Sequence, residues 1–113
     1  MTKYNWSEWM NFPNPSKCEY LYAPIGIGVY QIRNKATNEF VLFGSSKNVA
    51  FRITSLLSKD YGGSGNRKNQ AKSAYVSQNI ENIQYRTIAL STIREALEIE
   101  RALKKCRNHI INT

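Results

Sequence analysis

The sequence predicts a single small α/β domain with a basic surface, and three patterns point that way. Two β-branched, aromatic runs flank a short polar turn, two segments carry apolar residues at helical spacing, and a third strand-like run lies between helical stretches. A length of 113 residues suits one domain with one core, formed without disulfides or structural metal. The expected order is aromatic arm, β, β, α, α, β, α.

Residues 1–25 hold Trp6, Trp9, Phe12, Tyr20 and Tyr22, interrupted by Pro13, Pro15 and Pro24. Disordered tails are poor in aromatics, so this segment is expected to be an arm packed on the domain at 26–113. A base-stacking platform is the functional alternative. Ile27 to Arg33 and Glu39 to Phe43 read as the strands of a hairpin, joined by the turn formers Asn34-Lys35-Ala36-Thr37-Asn38. Val49, Ile53, Leu56 and Leu57 recur at i, i+4, i+7 and i+8, the apolar stripe of a helix. Tyr61-Gly62-Gly63-Ser64-Gly65-Asn66 then reads as a loop, and 67–81 as a second helix with a weaker apolar face. Ile83 to Leu90 is the third strand. Thr92-Ile93-Arg94-Glu95 has the form of a capping box, opening a helix that runs to about Arg107.

Charge narrows the partners. Sixteen Lys and Arg against eight Asp and Glu give +8, spread along the body rather than gathered in a tail. A polyanion suits such a surface, because each phosphate neutralised releases a counterion; a merely soluble basic face is the plainer alternative. Cys18 and Cys106 are too few for a disulfide framework and lack metal-site spacing, and His109 is the lone histidine. The polar, aromatic N-terminus has no apolar signal core, and no run approaches the ~20 apolar residues of a membrane span. A cytoplasmic chain with reduced thiols, and no membrane partner, is expected.

Several kinds of chemistry are missing: there is no Ser/His/Asp set, no Cys/His cluster and no GxxxxGK loop. What remains is a set of residues in a particular order. Gly28-Val29-Tyr30 lies in the first strand and Leu42-Phe43-Gly44 closes the second. Arg52 follows Gly44 by eight residues on the next helix, Glu100 lies on the last helix, and Asn112 follows Glu100 by twelve. From 28 to 112 this constellation resembles the GIY-YIG nuclease family. The resemblance implies a three-stranded antiparallel sheet flanked by helices, with the active site on one sheet face. It implies a metal-dependent endonuclease acting on nucleic acid, DNA before RNA. Tyr30 would supply the catalytic hydroxyl and act as general base, Arg52 would bind the scissile phosphate, and Glu100 would hold one Mg²⁺ or Mn²⁺. Asn112 takes the place of the family's terminal asparagine.

The residues themselves bear on these roles. On a wheel of the last helix, Ala96, Ile99 and Leu103 form the buried arc, with Glu100 at its edge and Glu98 in solvent. An acid against apolar surface is costly unless paired or metal-bound, so metal ligation competes with pairing to a neighbouring Lys or Arg. Arg52 falls opposite Val49 and Ile53, where a guanidinium can match phosphate oxygens or simply be solvated. Tyr30 alone reads as readily as a core tyrosine. Gly28, on the same strand face, suggests close approach of backbone or ligand. Lys47, Asn48, Arg67, Lys68 and Lys72 are candidates for nucleic-acid backbone contacts. One position departs from the family pattern: Leu42 stands where the second motif has tyrosine, leaving Tyr30 as the sole tyrosine candidate. A non-catalytic DNA- or RNA-binding module on the same fold is therefore the alternative, and a basic structural protein the third reading.

Overall fold

The computed structural model describes residues 5–13, 23, 25–54, 74–76, 78–106 and 109. Strands β2 (Gly28–Asn34) and β3 (Glu39–Ser46) form the expected hairpin. Asn34 closes its turn by accepting hydrogen bonds on Oδ1 from the N–H groups of Ala36 and Thr37, 2.9 and 3.2 Å away. Asn38 follows with φ of 61°, a left-handed conformation that asparagine tolerates better than most residues. Strand β4 (Ile83–Ala89) lies antiparallel on the other side of β2.

Among the described residues the sheet has four strands, where three were expected. β1 (Met10–Asn11) lies against β4, giving the order β1-β4-β2-β3. Without it β4 would present an open row of N–H and C=O groups. Ser7 and Thr87 exchange bonds, the Ser7 N–H donating to the Thr87 carbonyl at 2.8 Å and the Thr87 N–H to Ser7 Oγ at 3.0 Å. The Phe12 N–H donates to the Ile83 carbonyl, and its ring packs edge-on to Tyr85. A two-residue strand has too few alternations to be recognised by period.

The register sorts side chains onto two faces. Gly28, Tyr30 and Ile32 of β2 stand opposite Ser46, Gly44 and Leu42 of β3 and opposite Ala89, Thr87 and Tyr85 of β4. Val49 and Ile53 of α1 (Val49–Thr54), with Val76, pack on this front face against Tyr30, Ile32, Leu42 and Tyr85. On the back face, Val29 and Ile88 receive Ala96 and Ile99 from α2 (Ile93–Cys106), with Leu103 beside them. Each large side chain fully buried in this way contributes about 1.5–3 kcal/mol. Gly28 is required at the junction of the layers, because a Cβ there would run into the Ile88 carbonyl and meet Val49.

The starts of α1 and α2 are capped. Asn48 Oδ1 accepts from the Phe51 N–H at the start of α1. Thr92 Oγ1 accepts from the Glu95 N–H and donates to Glu95 Oε1, so the glutamate closes the box on the hydroxyl. Residues 74–76 and 78 are helical, within the helix expected at 67–81. The rest of that segment up to 73, the glycine-rich loop and Leu56 and Leu57 lie outside the described residues. Among the described residues no helix is long and apolar enough to cross a membrane.

Beyond α2 the back face is aromatic and polar. His109 stacks on Phe40 and meets Phe43 edge-on, with ring centroids 5.4 and 4.6 Å apart. Gln31, fully buried, donates its amide to His109 Nε2 at 3.0 Å and accepts from Arg86 Nε at 2.8 Å. Gln31 therefore needs a neutral imidazole, and burial lowers the His109 pKa from its ordinary 6.5. The unfolded chain takes up this proton more readily than the folded one, so the histidine costs stability only as pH falls below about 6.5. Thermal melting should therefore decline from about pH 6.5 toward about pH 5, and His109→Phe should flatten that decline. Identical pH profiles for the two proteins would contradict this role.

Candidate active site

Tyr30 is almost wholly buried, yet its hydroxyl sits near the rim of the sheet, because its register partner is a glycine on the edge strand. A Cβ on Gly44 would lie 2.6 Å from the Tyr30 hydroxyl and 2.8 and 2.9 Å from Cζ and Cε1. The end of the ring therefore lies over bare backbone. Any side chain at 44 would displace it.

Two charged side chains act on this phenol. Arg52 projects from the exposed face of α1, and Glu100 comes from α2 on the other side of the sheet. Burial dominates and pushes the Tyr30 pKa up to about 12; the Arg52 charge pulls it down and the Glu100 charge pushes it up. A general base needs nearby positive charge to favour the phenolate. In the fold the desolvation is the larger effect, so the phenol keeps its proton at neutral pH.

Glu100 is tied to β3. Its Oε2 accepts from the Ser45 backbone N–H at 2.9 Å and from Ser45 Oγ at 2.8 Å. Ser45 precedes the turn into α1, and its side chain faces α2 because Gly44 before it faces α1. The carboxylate of one helix is thereby pinned at the end of the strand that carries Gly44. Glu98 instead is exposed and pairs with Arg94 at 3.8 Å on the outer face of α2.

The other expected residues fall as follows. Lys47 is exposed in the bend before α1, while the side-chain oxygen of Asn48 is engaged in capping that helix. Arg67, Lys68, Lys72 and Asn112 lie outside the described residues. Leu42 is fully buried in the same core as Tyr30 and Ile32, so it fills space where the family pattern has a tyrosine and offers no polar group. Ser45 was missed by sequence reasoning. Its only signal was adjacency to Gly44, since its partner is 55 positions away.

Among the described residues there is no group of three or more His, Cys, Asp or Glu, so a cation here would have Glu100 as its protein carboxylate. Magnesium accepts such a site, binding one or two carboxylates while waters and substrate phosphates complete its shell. Both Ser45 bonds end on Oε2 and leave Oε1 for a ligand, so the donor set fits a hard divalent cation. A separate cavity of about 280 Å³ is lined by Asn5, Ile88, Ala89, Leu90, Glu95, Glu98 and Ile99. Among the described residues its lining has two glutamates and no cationic side chain, which does not suit a phosphate.

The bond from Ser45 Oγ to Glu100 can be isolated. Ser45→Ala should destabilise by about 1 kcal/mol in urea unfolding, and a double-mutant cycle with Glu100→Ala should show coupling of similar size. Zero coupling would mean that the two side chains do not interact.

No family model and no curated protein matches the sequence. Among solved structures, the fold is similar to the crystal structure of the GIY-YIG N-terminal endonuclease domain of UvrC from Thermotoga maritima, bound to its catalytic divalent cation, magnesium. The TM-score is 0.59 at 25% identity, over 82% of this chain and 90% of that one. With the hairpin, the sheet order and the Tyr30–Gly44 row in place, the chain is a GIY-YIG-like domain.

Proposed function

We propose that the protein is a divalent-metal-dependent endonuclease that hydrolyses phosphodiester bonds, with DNA as its substrate. The observation that carries this reading is that the Tyr30 phenol lies over Gly44 while the Glu100 carboxylate is tied to the adjacent Ser45, with the Arg52 charge acting on the phenol from α1. Likeness to a magnesium-bound nuclease domain supports it.

Arg52 binds the scissile phosphate through its fixed fork of N–H donors and stabilises the charge that builds as phosphorus becomes pentavalent. Tyr30 places its hydroxyl against the attacking water, and its minor ionised form, the phenolate, takes the water's proton and returns to the phenol, the role of general base. Its base strength and its proton occupancy pull in opposite directions: a phenol near 12 is a strong base but is rarely ionised. Glu100 contributes to holding that proton, and neutralising the Glu100 charge removes this influence. Glu100 would hold Mg²⁺ or Mn²⁺, which supplies Lewis-acid stabilisation of phosphate and leaving-group oxygens. Ser45 orients Glu100 for that task. Lys47 lies beside this rim, available to a flanking phosphate.

Leu42 favours a second reading, a DNA- or RNA-binding module on the same fold that does not cut, because a hydroxyl present in the family pattern is replaced by a buried hydrocarbon.

A plasmid-nicking assay separates the two. Cleavage is expected with Mg²⁺ and not with chelator. Glu100→Gln keeps an oxygen for Ser45 but loses the charge, and should abolish cutting, whereas Glu98→Gln should be nearly silent. Tyr30→Phe should lower the rate ~10²–10⁴-fold, and Arg52→Ala by ~10²–10³-fold. Equal behaviour of the two glutamine variants would remove Glu100 as the ligand. No cleavage of supercoiled, branched, single-stranded or RNA substrates in any divalent metal would leave the binding module.

A further inference from the structure

The back of the sheet, away from Tyr30, carries a second arrangement that the proposed reaction does not use. Arg86 lies over Trp6 and Trp9, with its guanidinium carbon 4.2 and 4.5 Å from the ring centroids, and Arg33 lies 4.3 Å over Trp9. Trp9 stacks in turn on Phe40 at 6.3 Å. The two arginines are neighbours on adjacent strands, with β2 and β4 in register. Each is half-buried, and burial together with the Arg33 charge lowers the Arg86 pKa.

Among the described residues neither arginine forms an ion pair. Arg33 donates from Nε and Nη2 to the Gln84 amide oxygen at 3.0 and 2.7 Å, and Arg86 donates from Nε to Gln31 at 2.8 Å. These partners are neutral, as are the indoles. They fix the planes of both guanidiniums without cancelling their charge, and the bond from Arg86 leaves its two Nη groups to a ligand. Gln31 is held by His109, so the acceptor that orients Arg86 is itself positioned. Arginine is almost never taken fully out of water without a partner, and two half-buried ones side by side, with no carboxylate on them among the described residues, form a site that is electrostatically incomplete. A bidentate oxyanion completes it.

We propose that Arg33 and Arg86, held in place by Trp6 and Trp9, bind phosphate groups of a nucleic-acid strand, making a second contact on the sheet face opposite Tyr30. The choice of nucleic acid rests on the proposed function; the need for an anion rests on the charge and partners of the two arginines. A chain of +8 that contacts phosphates on both faces would hold a substrate on either side of the scissile bond.

Trp6 and Trp9 are the only tryptophans in the chain, so the wild-type protein reports on this site directly. A single-stranded oligodeoxynucleotide is titrated, with chelator present to prevent cutting, while the two indole Nε1–H resonances are followed. Both should shift and saturate with the oligonucleotide, move less with inorganic phosphate, and stay still with polyglutamate. In Arg33→Gln/Arg86→Gln the shifts should vanish, and the slope of log affinity against log salt should shrink by about 1.4, roughly 0.7 for each phosphate no longer neutralised. Circular dichroism checks that this variant is folded; should it unfold, the wild-type resonances decide alone. Indoles unmoved by the oligonucleotide, or a salt slope unchanged in the folded variant, would overturn the proposal. An equal response to polyglutamate would overturn it in favour of an acidic protein partner. Cleavage with silent indoles removes this site and leaves the nuclease. Shifting indoles without cleavage keep this site and remove the nuclease.

Discussion

The contact of the Tyr30 ring with Gly44 is the constraint on which the rest of the site depends. A tyrosine in a central strand ordinarily ends its hydroxyl inside the core or stretches it past a neighbour's side chain. Here the neighbour has none, and the phenol lies across the edge strand with its oxygen at the rim. The same hairpin register that pairs residues 30 and 44 places Ser45 on the opposite face, where it takes hold of Glu100. One glycine thus allows groups from both faces of the sheet to act on one point. Moving the register by a single residue would turn both side chains to the wrong faces.

That geometry has an electrostatic consequence. Burial makes the phenol a reluctant acid, and the two nearby charges oppose one another across it. The Tyr30 proton is therefore sensitive to what occupies Arg52 and Glu100. A phosphate bound to Arg52 would offset the charge that favours the phenolate, whereas a cation held by Glu100 would offset the charge that opposes it. In the proposed reaction, substrate and metal would act on the same proton in opposite directions.

Much of this was legible in the sequence because it rests on local patterns. The hairpin could be read from its turn formers, the buried arc of the last helix from Ala96, Ile99 and Leu103, and the helix start from Thr92 and Glu95. Other parts rest on contacts between distant positions. Ser45 and Glu100 are 55 residues apart, and neither residue type announces the other. β1 is two residues long, and what holds it is the backbone of β4 together with the buried ring of Phe12. The stacking of Arg33 and Arg86 on two tryptophans joins an aromatic segment to charges expected only as scattered surface. The protonation of Tyr30 was not legible for a related reason. Nearby charges can be inferred from a motif, whereas desolvation requires knowing how deeply the ring is packed.

The convergence of the three side chains is tested most directly by titrating Tyr30 itself, through the ζ-carbon resonance that Tyr30→Phe removes. Tyr30 is expected to remain protonated through pH 10, the ordinary midpoint of a tyrosine, and to ionise near 12. Glu100→Gln should lower that midpoint and Arg52→Gln should raise it. Ionisation at the ordinary value, indifferent to both substitutions, would mean that the phenol is neither buried nor within reach of the carboxylate and the guanidinium, and the site as described would not exist.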